Sequence, residues 1–189
     1  MPSRTSRFRL GDRAPQFDLP YEEDSWFSLR DELGRGPLLL GFIRGTWCPF
    51  CRRFMRQLLQ SIEGLQSRGC EVVLIASQPL SPILRFSRQE KLPFKILADG
   101  DRAVTRQFGI YQAVGLMGVN VARPAAYLLD EEGRILYQYV GSVTDRPLLP
   151  DILRVLEGHA RGSDAISASR TMIKARATNP QVPYRLKNG

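Results

Sequence analysis

The sequence predicts an α/β fold, a central mixed β-sheet flanked by helices, and three observations carry that expectation. Short apolar runs bounded by Gly or Pro recur around residues 37–43, 71–77, 94–99, 124–130 and 135–141. Runs of that length, rich in Val, Ile and Leu, read as buried strands. Segments with apolar residues three and four positions apart separate the first three runs and follow the last, and these read as helices. The order is strand, helix, strand, helix, strand, then a hairpin and a final helix, which puts parallel and antiparallel strands into one sheet.

Taken in order, Gly11–Leu19 reads as an extended segment, because Pro15 biases Ala14 toward β or polyproline geometry. Glu22–Asp24 marks an exposed turn before a short strand at 26–29, and residues 31–36 form a polar connection. The apolar run at 37–43 is the central strand, broken after Arg44 by Gly45 and Thr46. A helix then spans about 49–67, with Phe54, Met55, Leu58, Ile62 and Leu65 on one face, and ends at Arg68-Gly69 in a basic last turn and a C-cap glycine. Strand 71–77 leads through Pro79 and Pro82 into a second helix, and strand 94–99 into a short one near 102–108. Residues 114–121 are small, apolar and glycine-rich without a period, and read as a loop near the site. Glu131–Arg134 turns between the strands of the hairpin, and a last helix covers about 148–159.

The chemistry lies where the central strand meets its helix. Pro49 suits the first helical position, so Cys48 falls at the helix N-terminus, where free N–H groups and the dipole favour a thiolate. Such sites lower a cysteine pKa from about 8.5 into the range of roughly 3.5–7.5. Cys51, three residues on, shares the helix face within disulfide reach. Two blander readings compete: half of a zinc site, for which only Cys70 and His159 remain as further ligands, and a pair of ordinary buried thiols. Strand, tight turn, C-x-x-C and helix in this order favour a redox pair. Cys70, at the start of a strand, reads as packing, and His159 as a surface residue suited to a helix C-terminus.

The net charge of +8 belongs to the ends: residues 1–10 carry three arginines and no acid, residues 161–189 six basic side chains against Asp164, and residues 11–160 eighteen of each sign. The chain therefore divides into a basic arm (1–10), one domain (11–160) and a basic tail (161–189), the tail expected to be solvated and partly disordered. Dilute basic ends bind polyanions weakly, so nucleic acid is not an expected partner. No apolar run approaches the roughly 18 residues of a membrane span, and residues 1–10 lack the apolar stretch of a secretory signal. With three cysteines and no disulfide framework, a reducing cytoplasm is the expected setting.

The segments 11–19 (GDRAPQFDL), 42–51 (FIRGTWCPFC), 94–99 (FKILAD) with 108–111 (FGIY), and 123–135 (RPAAYLLDEEGRI) resemble the alkyl hydroperoxide reductase/thiol-specific antioxidant family, the peroxiredoxins and peroxiredoxin-like proteins of the thioredoxin superfamily. The resemblance covers about residues 11–158. It implies a thioredoxin-like fold, Cys48 as the attacking sulfur and Pro124 as a cis-proline facing it. No cofactor or metal is expected. The family's usual proline seven residues, and Thr or Ser three residues, before the attacking cysteine are replaced here by Gly41 and Gly45. Thr46 offers a hydroxyl one residue later. The family's peroxide-binding arginine falls at Pro124, with Arg123 one residue earlier, while Trp47 and the C-x-x-C are thioredoxin-type features.

Three functions follow. In the first, a peroxidase, Cys48 thiolate attacks a peroxide, Cys51 resolves the sulfenic acid, and Arg44, Arg52 or Arg123 stabilises charge, with Thr46 as a further donor; a thioredoxin-like or other thiol reductant closes the cycle. For Arg52 and Arg53 a solvated helix face is the competing reading. In the second, a thiol–disulfide oxidoreductase, the same pair attacks a disulfide substrate. The third is a non-enzymatic redox sensor or binding module. A homodimer is compatible with each.

Overall fold

The structure is a computed structural model in which residues 7–115, 118–142, 147 and 149–162 are described. Most of the basic arm and nearly all of the basic tail expected at 1–10 and 161–189 lie outside the described residues.

The chain runs β1 (Asp18–Pro20), β2 (Trp26–Ser28), α1 (Leu29–Glu32), β3 (Leu38–Ile43), α2 (Pro49–Gln66), β4 (Glu71–Ala76), α3 (Leu80–Glu90), β5 (Lys95–Ala98), α4 (Ala103–Gln107), β6 (Tyr111–Gly115), β7 (Gly118–Ala122), β8 (Ala125–Leu129) and β9 (Ile135–Val140). Residues 149–162 form a further helix, α5. The main sheet has the order β5-β4-β3-β8-β9, with β3, β4 and β5 parallel and β8 and β9 antiparallel to their neighbours. This is the mixed sheet that the strand–helix alternation and the closing hairpin require.

β3 is buried along its whole length because both sheet faces are covered. Leu39 and Ile43 point to one face and pack with Phe54, Met55 and Leu58 of α2, together with Val72 and Leu74 of β4 and Ile152 of α5. Leu38, Leu40 and Phe42 point to the other face, against Phe17, Phe27, Val104, Phe108 and Tyr127. The Phe108 ring lies 4.8 Å from Phe42 and 5.0 Å from Tyr127, the spacing of favourable edge contacts, and so pins α4 beneath the sheet.

Two elements differ from the sequence expectation. Of residues 114–121, read as a loop, 114–115 lie in β6 and 118–121 in β7, which pair antiparallel with Tyr111 opposite Ala122 and Val114 opposite Val119, while 116 and 117 lie outside the described residues. The two strands form a sheet of their own, and their short glycine-rich run leaves no clear period in the sequence. The stretch 31–36 is not only a connection, because α1 occupies Leu29–Glu32. A single turn is too short for a helical period to register.

Candidate active site

Cys48 is the N-cap of α2, with extended φ −79° and ψ 122°, and Pro49 follows in the first helical turn. Its carbonyl accepts the first helical bond from the Arg52 N–H at 3.0 Å, while its own N–H bonds to the Gly45 carbonyl at 3.2 Å, closing a tight turn over residues 45–48. The strand aims this turn. β3 ends at Ile43, and Arg44, the next residue, is almost wholly buried.

From there the Arg44 Nη2 donates to Cys48 Sγ at 2.8 Å, and the guanidinium carbon stands 5.6 Å from the centre of the Trp47 ring. Burying an arginine is costly unless it is paired, and the sulfur is the group that it meets. Cys48 is lowered to about 5. The largest influence is the Cys51 thiol, which hydrogen-bonds the sulfur. Burial opposes it, and the Cys51 backbone N–H and Arg44 bring the thiol down further. At neutral pH this sulfur is an anion between a guanidinium and a helix N-terminus. Both Cys48 and Cys51 are buried and carry free thiols.

Thr46 is held by Gln78, a residue that nothing in the sequence marked. Gln78 Oε1 accepts from the Thr46 N–H at 3.0 Å, and Gln78 Nε2 donates to the Thr46 hydroxyl at 3.1 Å. Gly45 makes this clasp possible. A Cβ there would lie 2.5 Å from Gln78 Oε1 and would also strike Trp47 Nε1. The place of a Thr or Ser side chain at position 45 is thus taken by a glutamine amide and an indole. Gly41 has an equally local reason, since a Cβ on that face of β3 would lie 2.5 Å from Leu74 Cδ2 and 3.5 Å from Phe54. A Gln following a strand two elements away has no sequence signal that ties it to Thr46.

The structure corrects one expectation outright. Pro124 is not a cis-proline: the described residues contain no cis peptide bond. Between β7 and β8 the Arg123 N–H is bonded to the Ile110 carbonyl at 2.8 Å and the Pro124 carbonyl accepts from Gly141 N–H at 2.7 Å. Trans is the better X–Pro isomer by about 0.5–1 kcal/mol. The Arg123 Nη2 donates to the Gly141 carbonyl at 3.4 Å, whereas Arg44 is the arginine brought to the sulfur. Arg52 combines both of its readings: it lies on the exposed face of α2, yet its Nε donates to the Thr46 carbonyl at 2.7 Å and its guanidinium rests 5.1 Å from the Phe86 ring centre.

Cys70 stands apart, buried just before β4, with burial pushing its thiol up to about 12. His159 on α5 meets Glu131 Oε2 at 3.1 Å. Among the described residues no group of three or more His, Cys, Asp or Glu converges as a metal site would. No described helix is long and apolar enough to cross a membrane.

The arrangement can do nucleophilic sulfur chemistry: an ionised, oriented thiolate with a second thiol one helical turn away and an arginine at hand for developing negative charge. Comparisons with known proteins agree with this chemistry. The sequence model of the AhpC/TSA family matches residues 10–138. The chain is 29% identical over 129 residues to Peroxiredoxin Bcp of Escherichia coli (strain K12), covering 67% of this chain and 82% of that protein. It is 27% identical over 164 residues to the chloroplastic Peroxiredoxin Q of Oryza sativa subsp. japonica, covering 83% of this chain and 74% of the relative. Among solved structures, Peroxidoxin BcpB from Mycobacterium tuberculosis superposes with a TM-score of 0.69 at 19% identity, covering 79% of this chain and 96% of that one. Enterococcus faecalis AhpC superposes with a TM-score of 0.71 at 17% identity, covering 82% and 94%. These likenesses show a thioredoxin-like peroxiredoxin fold.

Proposed function

The chain belongs to the AhpC/TSA family, and from that premise we propose how Cys48 and Cys51 carry its thiol-dependent reduction of peroxides. The Cys48 thiolate attacks the terminal oxygen of the peroxide. The S–O bond forms as the O–O bond breaks, and the departing alkoxide takes a proton and leaves as an alcohol, or as water from hydrogen peroxide. Cys48 is left as a sulfenic acid. Cys51 then attacks the Cys48 sulfur and expels the oxygen as water, giving a Cys48–Cys51 disulfide. A thioredoxin-like or other dithiol supplies the two electrons and two protons that restore both thiols.

One observation carries the assignment: the Arg44 guanidinium, buried and 2.8 Å from the sulfur. It stabilises the thiolate before attack and stands where negative charge grows on the peroxide oxygens during it, the moment at which a fixed donor is worth most. Thr46 is the proposed second donor. Its hydroxyl oxygen already accepts from Gln78, which orients the remaining O–H outward from that bond. Arg123 and Pro124 bond to Ile110 and Gly141, and no role at the sulfur is proposed for them.

A cytoplasmic setting suits a cycle that consumes two thiols per turn and needs a maintained pool of reductant. A homodimer is compatible with this reading and is tested by sedimentation. Disulfide exchange by the same pair is the competing activity. Parallel assays on one reduced preparation separate them: peroxide consumption should exceed reduction of a protein disulfide by orders of magnitude. The reverse ratio contradicts the assignment.

A further inference from the structure

Next to the Gln78 clasp runs a buried polar chain that the chemistry at sulfur does not use. Asp99, just after β5, and Thr105 in α4 are fully buried, and Ser77, just after β4, is nearly so. The Asp99 carboxyl accepts from the Val104 N–H at 3.2 Å, the Thr105 N–H at 2.8 Å and the Thr105 hydroxyl at 2.5 Å. Thr105 Oγ1 lies 3.4 Å from Ser77 Oγ, which accepts from the Ala122 N–H of β7 at 2.9 Å. A hydroxyl has one proton to give. Thr105 gives its proton to Asp99, so Ser77 is the donor to Thr105. The chain has one direction, from the Ala122 N–H through Ser77 and Thr105 to Asp99.

Buried polar side chains cost stability unless they are bonded, and a satisfied network specifies one arrangement of the segments it joins. Here the segments meet at Ser77. Its N–H bonds to the Ile43 carbonyl at the end of β3 at 3.2 Å, while its hydroxyl ties α4 to β7. The Ala76 carbonyl accepts from both the Gln78 N–H at 2.7 Å and the Asp99 N–H at 3.0 Å. The main chain that carries Gln78 is thus pinned to β3, α4, β7 and the end of β5. Gln78 in turn holds Thr46 by bonds of 3.0 and 3.1 Å, distances that tolerate little displacement. Arg44, by contrast, reaches the Cys48 sulfur directly at 2.8 Å.

We propose that Ser77, Thr105 and Asp99 are positioning residues for peroxide reduction: acting through Gln78 and not on the sulfur, they hold the Thr46 hydroxyl where it meets the peroxide. The inference rests on the reading of Thr46 as the second donor and deepens it. The site then has two separate supports. Arg44 and the α2 N-terminus make the thiolate, and the buried chain places the hydroxyl. Breaking the chain slows attack on peroxide while the sulfur keeps its ionisation, a combination that general loosening of the fold does not produce.

The test is a double-mutant cycle. Thr105→Val, which keeps the shape and removes the hydroxyl, and Thr105→Ser, which keeps the hydroxyl, are each made alone and together with Thr46→Val. Hydrogen peroxide kcat/KM is measured beside the pH profile of Cys48 alkylation. Thr105→Val alone should lower kcat/KM by about ten-fold, within the range of coupling between residues of one hydrogen-bond network. Its alkylation midpoint should match wild type, and Thr105→Ser should recover most of the rate. Added to Thr46→Val, Thr105→Val should cost less than about two-fold more, since the hydroxyl it positions is already gone. Should Thr105→Val not fold, Ser77→Ala breaks the next link and is read in the same way. Equal losses in both backgrounds, no loss in either, or an alkylation midpoint that moves with the rate overturns the proposal and leaves Thr46 its role. Unchanged turnover in Thr46→Val strikes the reading of Thr46 as a donor, and the proposal with it.

Discussion

Gln78 grips Thr46 from two directions, accepting from its backbone N–H at 3.0 Å and donating to its hydroxyl at 3.1 Å. All of these groups are buried, so the clasp replaces water for both partners. It fixes the turn between β3 and α2 on which Cys48 sits and points the Thr46 O–H away from the amide.

If that hydroxyl serves the transition state, Thr46→Val should cut peroxide turnover by about 100–1,000-fold, the usual effect of losing one such donor. Disulfide exchange should change far less, because it depends on Cys48 and the helix terminus. Gln78→Ala should lower both stability, by about 1–3 kcal/mol for two buried groups left unpaired, and turnover. Thermal melts alongside steady-state assays read both. Unchanged turnover in Thr46→Val removes Thr46 from the site.

Placing a hydroxyl residue back at position 45 should harm the protein. The Cβ of Gly45→Thr would lie 2.5 Å from Gln78 Oε1 and strike Trp47 Nε1, and moving Gln78 breaks both of its bonds to Thr46. A loss of about 1–3 kcal/mol is expected from forced overpacking, together with slower turnover. A variant as stable as wild type and faster with peroxide would contradict the idea that Gln78 and Trp47 occupy this space.

Much of this was legible in the sequence because it rests on local rules. Pro49 after Cys48, the apolar period of α2 and the uncharged run of β3 fix strand, turn and helix. The thiolate's position follows from them, with Arg44 already among the candidate stabilisers. The Gln78 clasp and the β6–β7 ribbon were not legible, because each depends on backbone or amide bonds between segments distant in the chain, which leave no periodicity. Pro124 misled for a related reason. A proline at a strand entrance is the same letter in either isomer, and here the bond is trans.

Cys48 is held near 5 and ionises near 8.5 in an unfolded chain. The folded state therefore binds fewer protons between those values, and the thiolate's contribution to stability is fully present above about 8.5 and lost as pH falls through about 5. Urea midpoints of the reduced protein should rise from pH 5 toward pH 8 relative to Cys48→Ser. Parallel pH profiles for the two proteins would contradict the depressed thiol.

Removing Arg44 should show how much of that depression the arginine supports. Arg44→Met should raise the midpoint of alkylation rate against pH at Cys48 and slow peroxide turnover by about 100-fold or more. Arg44→Lys should recover part of the midpoint but little of the rate, since an ammonium keeps the charge without the guanidinium's planar donor set. Equal recovery of both would mean that charge alone suffices.

Resolution by Cys51 predicts the fate of each thiol. After mild peroxide, mass mapping should find a Cys48–Cys51 disulfide with Cys70 still a thiol, as burial and a pKa near 12 require. A Cys48–Cys70 link or an intermolecular one would displace Cys51 from its role.

The central claim, that Cys48 is the peroxide-attacking sulfur, is tested most directly in Cys51→Ser, where the oxidised intermediate cannot be resolved within the chain. One equivalent of peroxide followed by dimedone should leave a single adduct, on Cys48. An adduct on Cys70, or no adduct while peroxide is still consumed, would contradict it.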